Sequence, residues 1–344
     1  VVTDRRRHLE AAIHEELDER EAGAFVAVGP GTTPEIRYCL PGAPAHTVAA
    51  AVDHEGWIER TDAPPAHPAE QLAARLTERG VTDTILAPPD LPHDAALYLE
   101  SAGFTLASSD VLSRARARKT PGELARVESA QAAATAGVER ARSVIANATV
   151  ADGSLEVDGQ FLTGGTVRRT IDEAVVAAGG FPAGNTAVDA GGRDGATPLP
   201  AGEPIVLSTA PCGPDGYHAG LVRTVVVDGD GGRERRAHVA ADSALKSAAT
   251  MLRAGDQSVE AVEGDLEAEV MAFGFEEGID ATVSGVGLEP RERPGRGDTI
   301  AGGSVVRLEV AVEDVTGGDV RLAELVVVDE GTRVLESPSR SLSP

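Results

Sequence analysis

The chain is 344 residues long and 42% apolar, enough for two domains with a sizeable core in each. Its 55 aspartates and glutamates against 31 lysines and arginines give a formal net charge of -24, which argues against nucleic acid and anionic membrane as partners, because contact with phosphates needs clustered cations. Two cysteines, Cys39 and Cys212, are too few for a disulfide framework or a thiolate metal site and read as buried free thiols.

The amino-terminal stretch VVTDRRRHLEAAIHEELDER has basic residues with no apolar segment behind them, and nowhere do about 18 uncharged apolar residues run together. The expectation is a soluble cytoplasmic protein. Only Lys119 and Lys246 are lysines, aromatic residues make up 3%, and small apolar side chains abound. Hydrated carboxylates with few ammonium stems read as a salt-adapted surface, which points to a halophilic archaeal cytoplasm. An acidic bacterial protein from a GC-rich genome explains the arginine and alanine bias equally, but the charge less well.

In chain order, residues 24–29, 47–52 and 84–87 read as strands, and 67–80 and 93–103 as amphipathic helices ending at glycine. That alternation predicts an α/β domain over 1–117. A basic segment, SRARARKTPGELARV, then leads into Thr120-Pro121-Gly122-Glu123: an N-cap threonine, a proline at the first helical position and a glutamate three residues after the cap. A long alanine-rich helix is expected to run from there to about Ala146. Beyond it, helical patterns at 165–178, 234–253 and 258–273 alternate with strands at 204–209, 221–227, 304–312 and 320–328, the last two joined by a hairpin-like DVTGG. Paired strands with intervening helices predict an α+β domain over 118–344, an antiparallel sheet covered by helices.

The motifs EIRYCLPG, RARKTPGELARVESAQAA, GYHAGLVRTVVV, SGVGLEPRERP, VVRLEV and VRLAELVVVDEG follow one another along the chain. In that order they resemble the prolidase and aminopeptidase P branch of the pita-bread metallopeptidases, creatinase included. The resemblance covers most of the chain and implies a pita-bread carboxy-terminal domain behind a creatinase-like amino-terminal domain, with a dimer as the expected assembly. It also implies a hydrolase that cleaves before proline with two divalent metals such as Mn, Co or Zn. Such a site needs several carboxylates and imidazoles to neutralise the ions and turn a bridging water into a nucleophile.

Residue by residue, the resemblance puts Ser208 and Gly220, twelve residues apart, where the family carries its two metal-binding aspartates. Ser284 takes the place of the metal-binding histidine, and Arg291 that of a second histidine expected to polarise the scissile carbonyl. Glu309 matches the first metal-binding glutamate, with Val310 in place of the proline after it. Ala323 stands at the last, with Glu324 one position on. Because strand side chains alternate between faces, Glu324 is expected to point away from the face of Ala323. No histidine follows His238, and the loop over 185–204 contains none, so the acid/base histidine that creatinase uses without metal is also unmatched.

The expectation is therefore a metal-free, catalytically degenerate member of the family. Its residual cleft would be lined by Tyr217, Arg223, Arg291, Glu292, Arg307 and Glu309. It would bind a peptide or a small amino-containing ligand, or serve as the structural partner of an active paralogue. Arg307, two residues from Glu309, would replace the lost cations by pairing with that carboxylate; the alternative is that it reaches out to solvent. The rival is an active metal-dependent Xaa-Pro dipeptidase or aminopeptidase, or a metal-free hydrolase of a C–N bond. His218 reads as an exposed turn residue, Ser208 and Ser284 as hydroxyls without a general base, and the acidic runs at 15–21 and 260–269 as solvated helix faces.

Overall fold

In the computed structural model, which describes residues 2–28, 35–43, 45–49, 67–314 and 318–344, the chain divides into two units, residues 1–116 and 117–344. Parts of the expected strands at 24–29 and 47–52, and the middle of the expected turn at 314–318, lie outside the described residues.

The first unit contains α1 (Val2–Glu19), β1 (Ala24–Val28), β2 (Glu35–Cys39), β3 (His46–Ala49), α2 (Pro68–Glu78), β4 (Thr84–Ala87), α3 (His93–Ser101) and β5 (Thr105–Ser108), and closes with α4 (Val111–Ala117). Its sheet has the order β3-β2-β1-β4-β5, antiparallel on the β3 side and parallel across β1, β4 and β5. Strand alternation sorts the side chains into two cores. Ala24, Val26 and Ile85 meet α2 and α3 through Leu72, Leu76 and Leu99, while Phe25, Cys39 and Leu86 face Ile13, Leu17 and Val111 of α1 and α4. Cys39 is buried as expected; Cys212, in the second unit, is only half-buried.

The second unit opens with α5 (Pro121–Ala146). Its start is the expected capping box: Thr120 accepts from the Glu123 amide and Glu123 accepts from the Thr120 amide, with Pro121 in the first turn. A small sheet of β6 (Thr149–Ala151), β7 (Ser154–Val157) and β8 (Gln160–Phe161) follows, then α6 (Gly164–Ala177), β9 (Thr186–Asp189), β10 (Ile205–Thr209) and β11 (Leu221–Val225). The remaining elements are α7 (Arg233–Met251), β12 (Gln257–Ser258), α8 (Val259–Ala272), β13 (Ile279–Gly285), β14 (Thr299–Ile300), β15 (Ser304–Asp314), β16 (Gly318–Val328) and β17 (Arg333–Val334).

The main sheet runs β13-β15-β16-β11-β10-β9, with β17 added on β16, and every pairing in it is antiparallel. Two helix pairs cover one face. Ile205, Leu207, Leu221 and Val225 pack under α5 and α6, and Leu308, Val310, Leu322 and Val326 under α7 and α8. On the opposite face, midway along the strands, Val206, Val222 and Ala323 form a small apolar patch. Towards the Val328 end of β16 that face is covered as well, since Leu325, Val327 and Val305 join the first core.

Candidate functional site

Register decides which side chains meet on the face away from the helices. Ser208, Val222, Ala323, Glu309 and Thr282 are partners in that order across β10, β11, β16, β15 and β13, so they stand in one row. Ser284 and Arg307 face each other two residues further along, and Gly220 lies two residues before Val222. Alternation thus puts Ser208, Gly220, Ser284, Glu309 and Ala323 on one face of the sheet.

Within the row, Glu309 is buried and holds three guanidinium groups. Arg291 and Arg307 reach Oε2, each at 2.9 Å, and Arg321 reaches Oε1 at 2.6 Å. The Arg307 side chain is only 7% exposed, against 53% for Arg291 and 35% for Arg321. It lies beside the covered end of the sheet, where its other register partner, Leu325, belongs to the first core. A Cβ on Gly220 would stand 3.1 Å from Arg307 Nη1 and 3.2 Å from its Cδ. Glycine at 220 therefore leaves the room in which the Arg307 side chain is packed. Burial holds the Arg307 guanidinium below its ordinary pKa; Glu309 opposes the shift and Arg291 and Arg321 add to it. It remains a cation at neutral pH.

The residues present do not fit a pair of divalent metals. Two hydroxyls and one carboxylate offer too little negative charge, and that carboxylate already carries three cations that would repel a metal ion. Among the described residues, no group of three or more His, Cys, Asp or Glu side chains is placed to hold one. Further along the same face, burial first, then Glu313 and Asp189, push the Asp319 carboxyl above its ordinary pKa, against the pull of Arg321.

Of the six residues expected to line the cleft, Arg291, Arg307 and Glu309 come together. Arg223 does not, because it shares the helix-covered face with Leu221 and Val225. It is fully buried, donates to Glu324 at 2.7 Å and to the carbonyls of Val222, Ala323 and Pro338, and is shifted down chiefly by burial. Tyr217 is buried in the first core, where its hydroxyl donates to Glu123 at 2.7 Å. Glu292 props its own turn: it accepts from Lys119 Nζ and from the Leu288 amide. A Cβ on Gly287 would come within 2.1 Å of Glu292 Oε1, so a larger residue there would push the Glu292 carboxylate out of these contacts.

Arg321 is the member that sequence reasoning missed. Its position two residues before Ala323 was the available signal, since period-two alternation puts both on one face. Glu324 points the other way, accepting from Arg223 and Arg340 beside a cavity of about 180 Å³ that Leu245, Ala249 and Val326 help to line.

His218 is half-buried, with its amide donating to the Gly287 carbonyl, and not an exposed turn residue. The acidic runs are not wholly solvated either. Glu16 is buried against Ser109, Arg20 and Arg114, and Glu263 against the Val283 amide and Arg296.

The sequence model of metallopeptidase family M24 matches residues 125–330. Solved structures share the architecture over nearly the whole chain. The prolidase from Pyrococcus horikoshii OT3 is 17% identical, with 97% of this chain and 99% of that one aligned at a TM-score of 0.77. The Xaa-Pro dipeptidase from Bacillus anthracis is 15% identical, with 98% and 99% aligned at 0.79. The N-terminal domain of the FACT complex subunit SPT16 from Cicer arietinum is 13% identical, with 99% and 98% aligned at 0.72. No curated protein sequence matches the chain. The fold is the pita-bread fold behind a second, α/β unit.

Proposed function

The chain belongs to metallopeptidase family M24, and we propose that it is a member that binds a ligand in the residual cleft without hydrolysing it. The observation that carries this reading is the arginine-bound Glu309. The one carboxylate of the row is neutralised by side chains of the protein itself, and Arg307 is packed over Gly220. Neither a metal-activated water nor an imidazole base is available from such a set, whereas guanidinium groups such as those of Arg291 and Arg321, which reach solvent, are suited to recognition.

The ligand is a peptide or a similar small polar molecule. A role in an assembly with an active paralogue is consistent with the same fold serving as a domain of a complex subunit in the FACT relative. The acidic, lysine-poor composition supports a salt-adapted cytoplasmic setting, and a homodimer is the assembly we assign.

Elemental analysis of protein purified in high salt tests the reading. The expected result is metal well below stoichiometric and no release of proline from Ala-Pro with added Mn or Co. About two equivalents of Mn, Co, Zn or Fe per chain would overturn it.

A further inference from the structure

We infer that the guanidinium cluster around Glu309 is an oxyanion site, and that the ligand presents a carboxylate or phosphate group to Arg291 and Arg307. The inference rests on the reading of the cleft as a binding site and names the chemistry it selects.

The charges within the cluster do not balance. Three guanidinium groups share one carboxylate, and Arg291 and Arg307 converge on the same oxygen, Oε2. Asp319 draws part of the Arg321 field, whereas among the strongest influences on Arg307 Glu309 is the one anion, and Arg291 and Arg321 both act against it. Arg307 is almost fully buried, and its Nε has no hydrogen-bond partner among the described residues. A buried N–H left unmade is costly, and like charges held side by side in a low-dielectric setting repel strongly.

One further oxyanion between Arg291 and Arg307 relieves both conditions. It would accept from forked donors that suit a carboxylate or phosphate better than any neutral group. Arg291, half exposed, gives the approach from solvent, while Arg307 is fixed by packing against Gly220. The chain as a whole repels anions at a net charge of -24, so a cationic cluster kept on this face is a local exception to its surface.

The test uses calorimetric titration and thermal shift on the full chain at constant KCl, with inorganic phosphate, N-acetylalanine and N-acetylalanine amide as probes. Saturable binding of phosphate or N-acetylalanine, and none of the amide, is expected; which of the two binds more tightly separates a phosphate from a carboxylate ligand. Arg291→Ala should weaken binding about tenfold or more, while Arg296→Ala, an exposed arginine outside the cluster, leaves it unchanged. Glu309→Gln removes the competing carboxylate and should tighten binding about tenfold. A purely structural arginine cluster would give no such gain. The inference is overturned if metal-free wild-type protein binds neither anion, or if Arg291→Ala binds as wild type does. Stoichiometric metal in the same preparation instead overturns the non-hydrolytic reading itself.

Discussion

Replacing Glu309 by glutamine removes the anion paired with Arg307 and leaves three guanidinium groups facing one another. Breaking a buried ion pair on one side typically costs about 3–5 kcal/mol, because the remaining charge is left uncompensated. Arg291 and Arg321 are exposed enough to turn into water, and the glutamine oxygen still accepts one N–H, so the cost falls mainly on Arg307. We expect about 3 kcal/mol, or a fall of roughly 6–12 °C in melting temperature for a domain of this size. Arg307→Met keeps the buried stem against Gly220, removes a desolvated charge and leaves Glu309 with two partners. It should cost less than about 1 kcal/mol. Urea unfolding followed by circular dichroism at fixed KCl and near-neutral pH measures both variants. Glu309→Gln as stable as wild type, or Arg307→Met costing more than Glu309→Gln, would refute the assignment of the strain to an uncompensated Arg307.

Arg223→Met should be among the most damaging single changes, at about 3–5 kcal/mol, because Glu324 and the Pro338 and Ala323 carbonyls lose a fully buried donor; Arg340→Met should cost clearly less in the same unfolding assay. Burial holds His238 below its ordinary pKa, so the unfolded chain binds the extra proton first. Its contribution is intact above about pH 6.5 and is lost as pH falls below that value, a slope that His238→Gln should flatten in melting curves taken across the range. Asp319 shows the opposite sign. Its raised pKa makes it a liability as pH climbs above about 4, so Asp319→Asn should stabilise the protein at neutral pH and give no gain below that point. A gain of equal size at both pH values would contradict the placement of Asp319 beside Glu313 and Asp189.

The elements with a strong local signal were legible from the residues alone. The Thr120–Glu123 box and Pro121 specify the start of α5 through bonds made within a single turn, and the apolar period of 3.6 along residues 165–178 places α6 within a residue of its observed ends. Short strands carry less. β9 and β13 escaped notice because β9 is only four residues long with no clean alternation, and the alternation of Ile279–Gly285 is carried by small and polar residues such as Ala281, Thr282 and Ser284. At the site, alternation alone placed Glu309 with Arg307 and turned Glu324 away from Ala323, since two-residue periodicity is a property of every strand.

Which face the helices cover is a different kind of fact, because it depends on where the helices come to rest. Arg223 and Tyr217 sit in a recognisable motif beside Gly220, yet Leu221 and Val225 commit that side of β11 to the core under α5 and α6, and Arg223 goes with them. Arg321, unremarkable in sequence, reaches Glu309 because β16 pairs Ala323 with Glu309 on one side and Val222 on the other. Composition, family resemblance and the residue types at the five positions were therefore settled by the sequence. Only the tertiary structure decided that the remaining carboxylate is held by three arginines, because that contact joins β15, β16 and the turn after β13, segments distant in the chain that meet through sheet register.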